Sequence, residues 1–314
     1  MSKSTGRNLI SWISQLKSWK VPPSIKLFLK ISISGLAIYL TAKKIDVKEA
    51  IHIITECNIY WLILGVFTFN LSQWISAVRL KNLLEELGIQ ASYWFHIKLF
   101  YFGMLYNIIL PGGIGGDAYK VILLKNQFNK RARDILKALF LDRLSGLAGL
   151  IFLALILALI IDMPWNPHLN TLTLALSILI YPGYFLANKL IFPSFTKSFL
   201  FVNILGILMQ GTQIICAYCI LLSLGAENNY LSYLLVFLLS SIATIIPLTL
   251  GGLGMRELVF IYAADFLIFD KEIAIALSLL FFLITAASSL LGIFVNPKTK
   301  ENTAHELHTS QQQH

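Results

Sequence analysis

Apolar residues run along this chain in blocks, and short polar or basic stretches separate the blocks. Read against the helix breakers, the pattern predicts spans near 24–42, 57–78, 135–161, 170–192, 199–224 and 272–296. Each approaches or exceeds the roughly 18 apolar residues that cross a bilayer core as a helix. Two further segments, about 95–127 and 231–268, are too long for one helix, and each is interrupted. Ile109-Leu110-Pro111-Gly112-Gly113-Ile114-Gly115-Gly116-Asp117 divides the first, and Ile246-Pro247-Leu248-Thr249-Leu250-Gly251-Gly252-Leu253-Gly254-Met255-Arg256-Glu257 divides the second. Proline and paired glycines free backbone N–H and C=O groups at membrane depth, which is tolerated only inside protein or beside a wet cavity. Each segment therefore reads as a re-entrant helical hairpin. Paired breaks in two halves of a chain point to the binding site of a membrane carrier.

The same positions reveal an internal repeat. Placing Gly112-Gly113-Ile114-Gly115 on Gly251-Gly252-Leu253-Gly254 sets a shift of 139 residues. That shift carries 57–78 onto 196–217 and 135–161 onto 274–300, beside the spans expected there, and 24–42 onto 163–181. Each half then holds two spans, a hairpin and a third span. An odd number of complete crossings inverts the second copy. The expected fold is an all-α polytopic membrane protein of six full spans and two re-entrant hairpins in inverted-topology repeats. The first repeat is expected over 24–162 and the second over 163–297, between a basic segment 1–23 and a disordered tail 298–314.

Composition strengthens this picture. Hydrophobic residues make up 57% of the chain and charged residues 13%, and the mean hydropathy is +0.73. Met1–Pro23 is polar and basic and has no small-residue cleavage site before the first span, so no secretory signal peptide is expected. The formal net charge of +9 suits contact with anionic lipid and topological retention better than nucleic-acid binding. Leu9, Trp12, Ile13, Leu16 and Trp19 recur at helical spacing, so this leader is either an interfacial amphipathic helix or a solvated tail. With both termini cytoplasmic and both hairpins re-entrant, sixteen Lys and Arg fall inside and four, Lys43, Lys44, Lys48 and Lys271, outside. The inside set includes Arg79, Lys81 and the run Lys120–Lys137. This is the bias expected of inner-membrane topology. Cys216 and Cys219 form a C-x-x-C inside an apolar helix without partner ligands, which reads as packing rather than metal or redox chemistry. No cofactor or metal site is expected.

The candidate ligand-binding residues cluster at the breaks. Gly112, Gly113, Gly115, Gly116, Gly251, Gly252 and Gly254 let backbone approach a ligand closely. The helices that restart after them point N-termini, which attract anions, toward the hairpin tips. Arg256 offers a planar fork to a phosphodiester, or pairs structurally with Glu257 or Asp142. Asp117 either caps its helix or contacts ligand, and Lys120 lies one turn on. Asp142 and Arg143 sit about two turns into a span, where charge must face the bundle interior. Arg143 is a second anion contact or one member of an ion pair between helices, and Glu257, Asp142 and Asp117 would balance these cations or contact an amine of the ligand. Asn70, Gln73 and Asn107 suit hydrogen bonds between helices. No catalytic constellation is evident.

Three motifs in this order carry a resemblance. They are Asn107-x-x-x-Pro111-Gly-Gly-x-Gly-Gly-Asp117, Asp142-Arg143-Leu144-Ser145-Gly146-Leu147 and Ile246-Pro247-x-x-x-Gly251-Gly252-Leu253-Gly254-x-Arg256-Glu257. With the helix count, residues 20–297 resemble the membrane domain of lysylphosphatidylglycerol synthase/flippases and its stand-alone, flippase-like relatives. Leu250 stands where the family often has proline, and Lys120 where it often has arginine. The resemblance implies a membrane phospholipid as partner, anionic or aminoacylated, moved between leaflets of a prokaryotic inner membrane. The soluble aminoacyl-transferase domain of the two-part synthases has no counterpart after Val295, so lysyl transfer is not expected, and a lipid-synthesising enzyme would be encoded separately. Two rival readings are an intramembrane enzyme that uses Asp117 and Asp142 on a lipid or lipid-linked sugar, and a carrier of a soluble anion.

Overall fold

A computed structural model of the chain describes residues 39–109, 115–161, 167–245 and 254–295, with isolated positions 32, 35, 36 and 297. The basic segment 1–23, most of the span expected near 24–42, and Gly112, Gly113, Gly251 and Gly252 lie outside them. The described residues are helical, without strands. In chain order they form α1 (Val47–Thr55), α2 (Ile59–Glu86), α3 (Tyr93–Ile109), α4 (Gly115–Phe128), α5 (Ala132–Ile160), α6 (Pro167–Ile191), α7 (Phe199–Ser223), α8 (Tyr230–Ile245), α9 (Met255–Leu267) and α10 (Lys271–Leu290). Short 3-10 turns follow α6 at Pro193–Phe195 and α10 at Leu291–Phe294. Side-chain caps start several helices where the sequence supplies an acceptor. Asp46 takes the Lys48 and Glu49 N–H groups, Asn58 that of Tyr60, and Asp270 that of Ile273.

Among the described residues, five helices are long and apolar enough to cross a membrane: α2, α5, α6, α7, and α10 with its 3-10 turn. The four between them are shorter. At 1.5 Å per residue, α3 and α4 reach about 25 and 21 Å, and α8 and α9 about 24 and 20 Å, short of a ~30 Å core. Each of these pairs packs on itself and opens toward one end of the molecule. The α3–α4 pair opens beside the ends of α2 and α7: Phe95 meets Phe128 at 5.7 Å between ring centroids, and the Ser198 N–H donates to Glu86 at 2.6 Å. The α8–α9 pair opens at the other end, where the Asn229 side chain donates to the Ile268 carbonyl at 2.8 Å and Tyr233 packs on Phe269. At that end Asn58 N–H also donates to Ser223 O at 2.7 Å, and Asp46 N–H to Glu272 at 3.1 Å. Two hairpins thus enter from opposite ends.

The 139-residue shift relates these elements one to one. It carries α2 onto 198–225, α3 onto 232–248, α4 onto 254–267 and α5 onto 271–299, which are the places of α7, α8, α9 and α10. The related helices α2 and α7 pack on each other along their lengths at the centre. Gly65 faces α7 there, where an added Cβ would lie 3.7 Å from the Cys216 carbonyl and Cys219 Cβ, and the C-x-x-C packs as two buried thiols.

One boundary differs from expectation. The span expected to end near 78 continues to Glu86, so Arg79 and Lys81, counted above among loop charges, lie within α2 and are buried. Local partners allow this: Lys81 meets Glu85 at 2.5 Å and lies over the Tyr93 ring, and Arg79 meets Asp142. Leu80, Leu83 and Leu84 continue the apolar face beyond Arg79.

Small residues set the closest crossings, as in membranes generally, where lipid gives helices no hydrophobic drive to associate. A Cβ on Gly206 of α7 would fall 2.8 Å from the Ser145 carbonyl of α5, and one on Gly149 would fall 3.0 Å from the Gly206 carbonyl. Ser145 hydroxyl donates to Val202 O at 3.0 Å, and Gln210 donates to Gly146 O at 3.1 Å. Gly206→Val is expected to lower stability by about 1–3 kcal/mol through overpacking. Thermal unfolding of purified protein in detergent measures it, and Gly183→Ala, at a site with no neighbour within 4 Å, is the matched control.

Candidate functional site

Two charged constellations lie where the broken hairpins meet the spans, and a third joins the spans α2 and α5. In the first, Asp117 follows the break of α3–α4 in the opening turn of α4. Arg143 of α5 donates to one carboxylate oxygen at 2.6 Å, and Lys120 approaches the other at 3.6 Å. Lys120 is buried, with its ammonium 4.6 Å from the Phe100 ring centroid. Its stem passes over Gly103, whose Cβ would meet Lys120 Cε at 2.6 Å. The hairpin closes around Gly116: its N–H donates to Asn107 at 2.9 Å, and a Cβ there would fall 2.1 Å from the Gly103 carbonyl. Gly116 is therefore a packing requirement of the hairpin.

In the second, Arg256 and Glu257 begin α9 after the other break. Gly254 turns the chain at φ 88°, a conformation that disfavours a side chain. Glu257, expected among the ligand contacts, turns back instead: it takes the Gly254 N–H at 2.6 Å and the Ser278 hydroxyl at 2.7 Å. It is buried and holds the restarting helix to α10. Arg256 points elsewhere. Its guanidinium lies 4.7 Å from the Phe281 ring centroid and 5.3 Å from that of Phe237, and it donates to Ser241 at 3.5 Å. Among the described residues no carboxylate oxygen comes within ion-pair distance of it, so neither structural pairing expected for Arg256 forms.

In the third, Asp142 is buried within α5 and accepts from Arg79 Nε at 2.7 Å. Arg79 is 3% exposed, and its Nη1 is buried without a hydrogen-bond partner among the described residues. Asp142 and Arg143, neighbours in sequence, thus serve different partners on different helices. The sequence reading missed Arg79 as an interior residue. The continued leucine spacing past position 79 was the available signal.

The polar side chains expected to join helices do so for Asn70 and Asn107. Asn70 accepts from Tyr101 at 2.6 Å and donates to Ser288 at 3.1 Å, tying α2, α3 and α10 together. Gln73 donates to Ser72 of its own helix at 2.9 Å. Among the described residues, no group of three or more His, Cys, Asp or Glu is arranged to hold a metal.

The 139-residue shift places Asp117 on Arg256, and Asp142 and Arg143 on Phe281 and Phe282. Hairpin one thus sets a carboxylate against Arg143 of the next span, and hairpin two sets a cation against the ring of Phe281, which stands at the place of Asp142. Helices that cross a bilayer, with charge gathered at two broken hairpins, define an all-α integral membrane protein. The chain belongs to the family described as the lysylphosphatidylglycerol synthase TM region, which it matches over residues 27–292. It is also similar to a UPF0104 membrane protein of Pyrococcus horikoshii, with 24% identity over 305 residues that cover 81% of this chain and 90% of the relative.

The buried pair of Arg79 and Asp142 has a measurable consequence. Asp142→Asn leaves Arg79 charged and unpaired, which costs about 3–5 kcal/mol in comparable buried pairs. The double variant Arg79→Met/Asp142→Leu is expected to recover most of that loss, as read by thermal unfolding in detergent. A single variant as stable as the native protein would show that the pair is solvated.

Proposed function

We propose that this protein moves a phospholipid between bilayer leaflets, with Arg256 holding the headgroup phosphate near mid-membrane. One observation carries the reading: Arg256 stands at a backbone break with aromatic rings around it and no carboxylate partner among the described residues. A cation at membrane depth is costly unless paired or hydrated. Ring faces compensate only in part, so an anionic headgroup completes the site. The planar guanidinium suits a phosphodiester. Hairpins that open toward opposite ends give the headgroup a route from each leaflet, while the acyl chains stay in lipid. Family membership supports a role at membrane lipid, and an anionic or aminoacylated phospholipid is the substrate this site fits.

We assign the cytoplasmic side to the end where α4 meets α5, which carries Lys125, Lys130, Arg131, Arg133 and Lys137. The opposite end mixes Lys43, Lys44, Lys48 and Lys271 with Asp46, Glu49, Asp265, Asp270 and Glu272. The enzymatic reading is weaker. Asp117 is bound by Arg143 and Lys120, and Asp142 by Arg79, so both proposed carboxylates are engaged as counter-ions.

The test is leaflet exchange of headgroup-labelled phosphatidylglycerol and lysylphosphatidylglycerol in proteoliposomes, read with an impermeant quencher. Arg256→Ala is expected to slow exchange by at least about tenfold, the consequence of losing ~1.4 kcal/mol of phosphate contact. Arg256→Lys retains part of the rate, because it keeps the charge and loses the fork. Exchange no faster than in empty liposomes, with folded native protein and an imposed gradient, would refute the proposal.

A further inference from the structure

The helix α6 is built differently from the other spans. Only 11% of its apolar window is buried, against 33–56% in the other four. The side chains it does bury are polar: Thr173, Ser177 and Asn188 are 8%, 5% and 2% exposed. With Tyr181 and Tyr184 they fall at spacings of three and four, so one polar stripe runs the length of the helix. Leu172, Leu176, Leu179, Leu186 and Leu190 lie exposed on its other side. The stripe faces α5, where Tyr181 meets the Phe152 ring edge-on at 5.4 Å.

In the seam Thr173 and Ser177 donate to carbonyls of their own helix and Asn188 to Phe195 O, while atoms of Tyr181 in α6, Asn203 in α7 and Arg79 in α2 stay unanswered. Tyr181 hydroxyl, Asn203 Oδ1 and Arg79 Nη1 are all buried without a hydrogen-bond partner among the described residues. A gap of about 10 Å³, the size of one water, lies among Tyr184, Asn188 and Asn203. Leu83 and Leu141, one turn from Arg79 and next to Asp142 in sequence, line the same gap, so the stripe approaches that ion pair. Unanswered polar groups penalise the closed state relative to one that admits water or a polar ligand. Pro182 lies inside α6 and removes a backbone hydrogen bond midway along it, which gives the helix a natural bending point.

We infer that the seam between α5 and α6 is the lateral path of the phospholipid headgroup. In this path α6 swings away from α5 about Pro182, and Arg79 Nη1 receives the phosphate at the cytoplasmic end. Hydroxyl and amide groups along the seam replace headgroup hydration, and the leucine side of α6 stays against acyl chains. The inference rests on the lipid-translocation reading, and the experiment separates the two.

In a background with Cys57, Cys216 and Cys219 replaced by alanine, Phe152→Cys and Tyr181→Cys are joined by a reducible bis-methanethiosulfonate. Exchange of labelled phosphatidylglycerol in proteoliposomes is expected to fall at least about tenfold on cross-linking and to return on reduction, as for a gate held shut. Full cross-linking with undiminished exchange would overturn the seam and leave lipid translocation standing. No exchange before cross-linking, in native protein as well, would overturn the reading beneath it and the seam together. If the cysteine pair does not fold, Thr173→Val/Ser177→Ala removes two hydroxyls with little change in volume. Several-fold slower exchange at unchanged melting temperature supports the seam, and an unchanged rate overturns it.

Discussion

A guanidinium or ammonium group inside a bilayer needs a partner for its charge, and that need organises this molecule. Arg79 is matched by Asp142, and Arg143 and Lys120 share Asp117. Each of these pairs joins two helices or closes a hairpin, so charge neutralisation also fixes how the elements sit. Arg256 departs from the pattern. Its neighbour Glu257 is committed to Gly254 and Ser278, and rings take the place of a carboxylate beside it. Arg79, Arg143 and Lys120 each meet a carboxylate, and Arg256 differs from them in having rings in its place.

The scaffold that holds these charges is built with little bulk. Backbones touch where Gly149, Gly206 and Ser145 meet, and again where Gly116 meets Gly103 inside the first hairpin. Such contacts bring carbonyls and hydroxyls of neighbouring helices into hydrogen-bonding range, as Ser145 to Val202 and Gln210 to Gly146 show. The first hairpin is further tied to the spans through Tyr101, Asn70 and Ser288. Its position thus depends on α2 and α10 as well as on its own turn.

The repeat is close in its elements and loose in its side chains. The close crossing of Gly149 with Gly206 corresponds to Ser288 and Phe67, neither of them glycine, and Phe67 is exposed. Asp117 corresponds to Arg256, and Asp142 to Phe281. In a duplicated frame with unlike residues at related places, one hairpin is held by an ion pair while the other sets its cation against aromatic rings.

Much of this was readable in the residue order alone. Apolar runs announced the spans described here, proline with paired glycines announced the two breaks, and the 139-residue shift paired four elements with four others. These are properties of local backbone chemistry and of bilayer thickness, and they need no neighbour to express them. Which charge meets which was another matter. Adjacent Asp142 and Arg143 point to α2 and to α4 because successive helical residues lie about 100° apart and each faces a different helix. The interior place of Arg79 depends on an acid 63 residues away, and the polar stripe of α6 acquires meaning only against α5. Sequence determined the elements and their breaks; tertiary packing decided the partners, because a charge in an apolar solvent is settled by what lies across the gap.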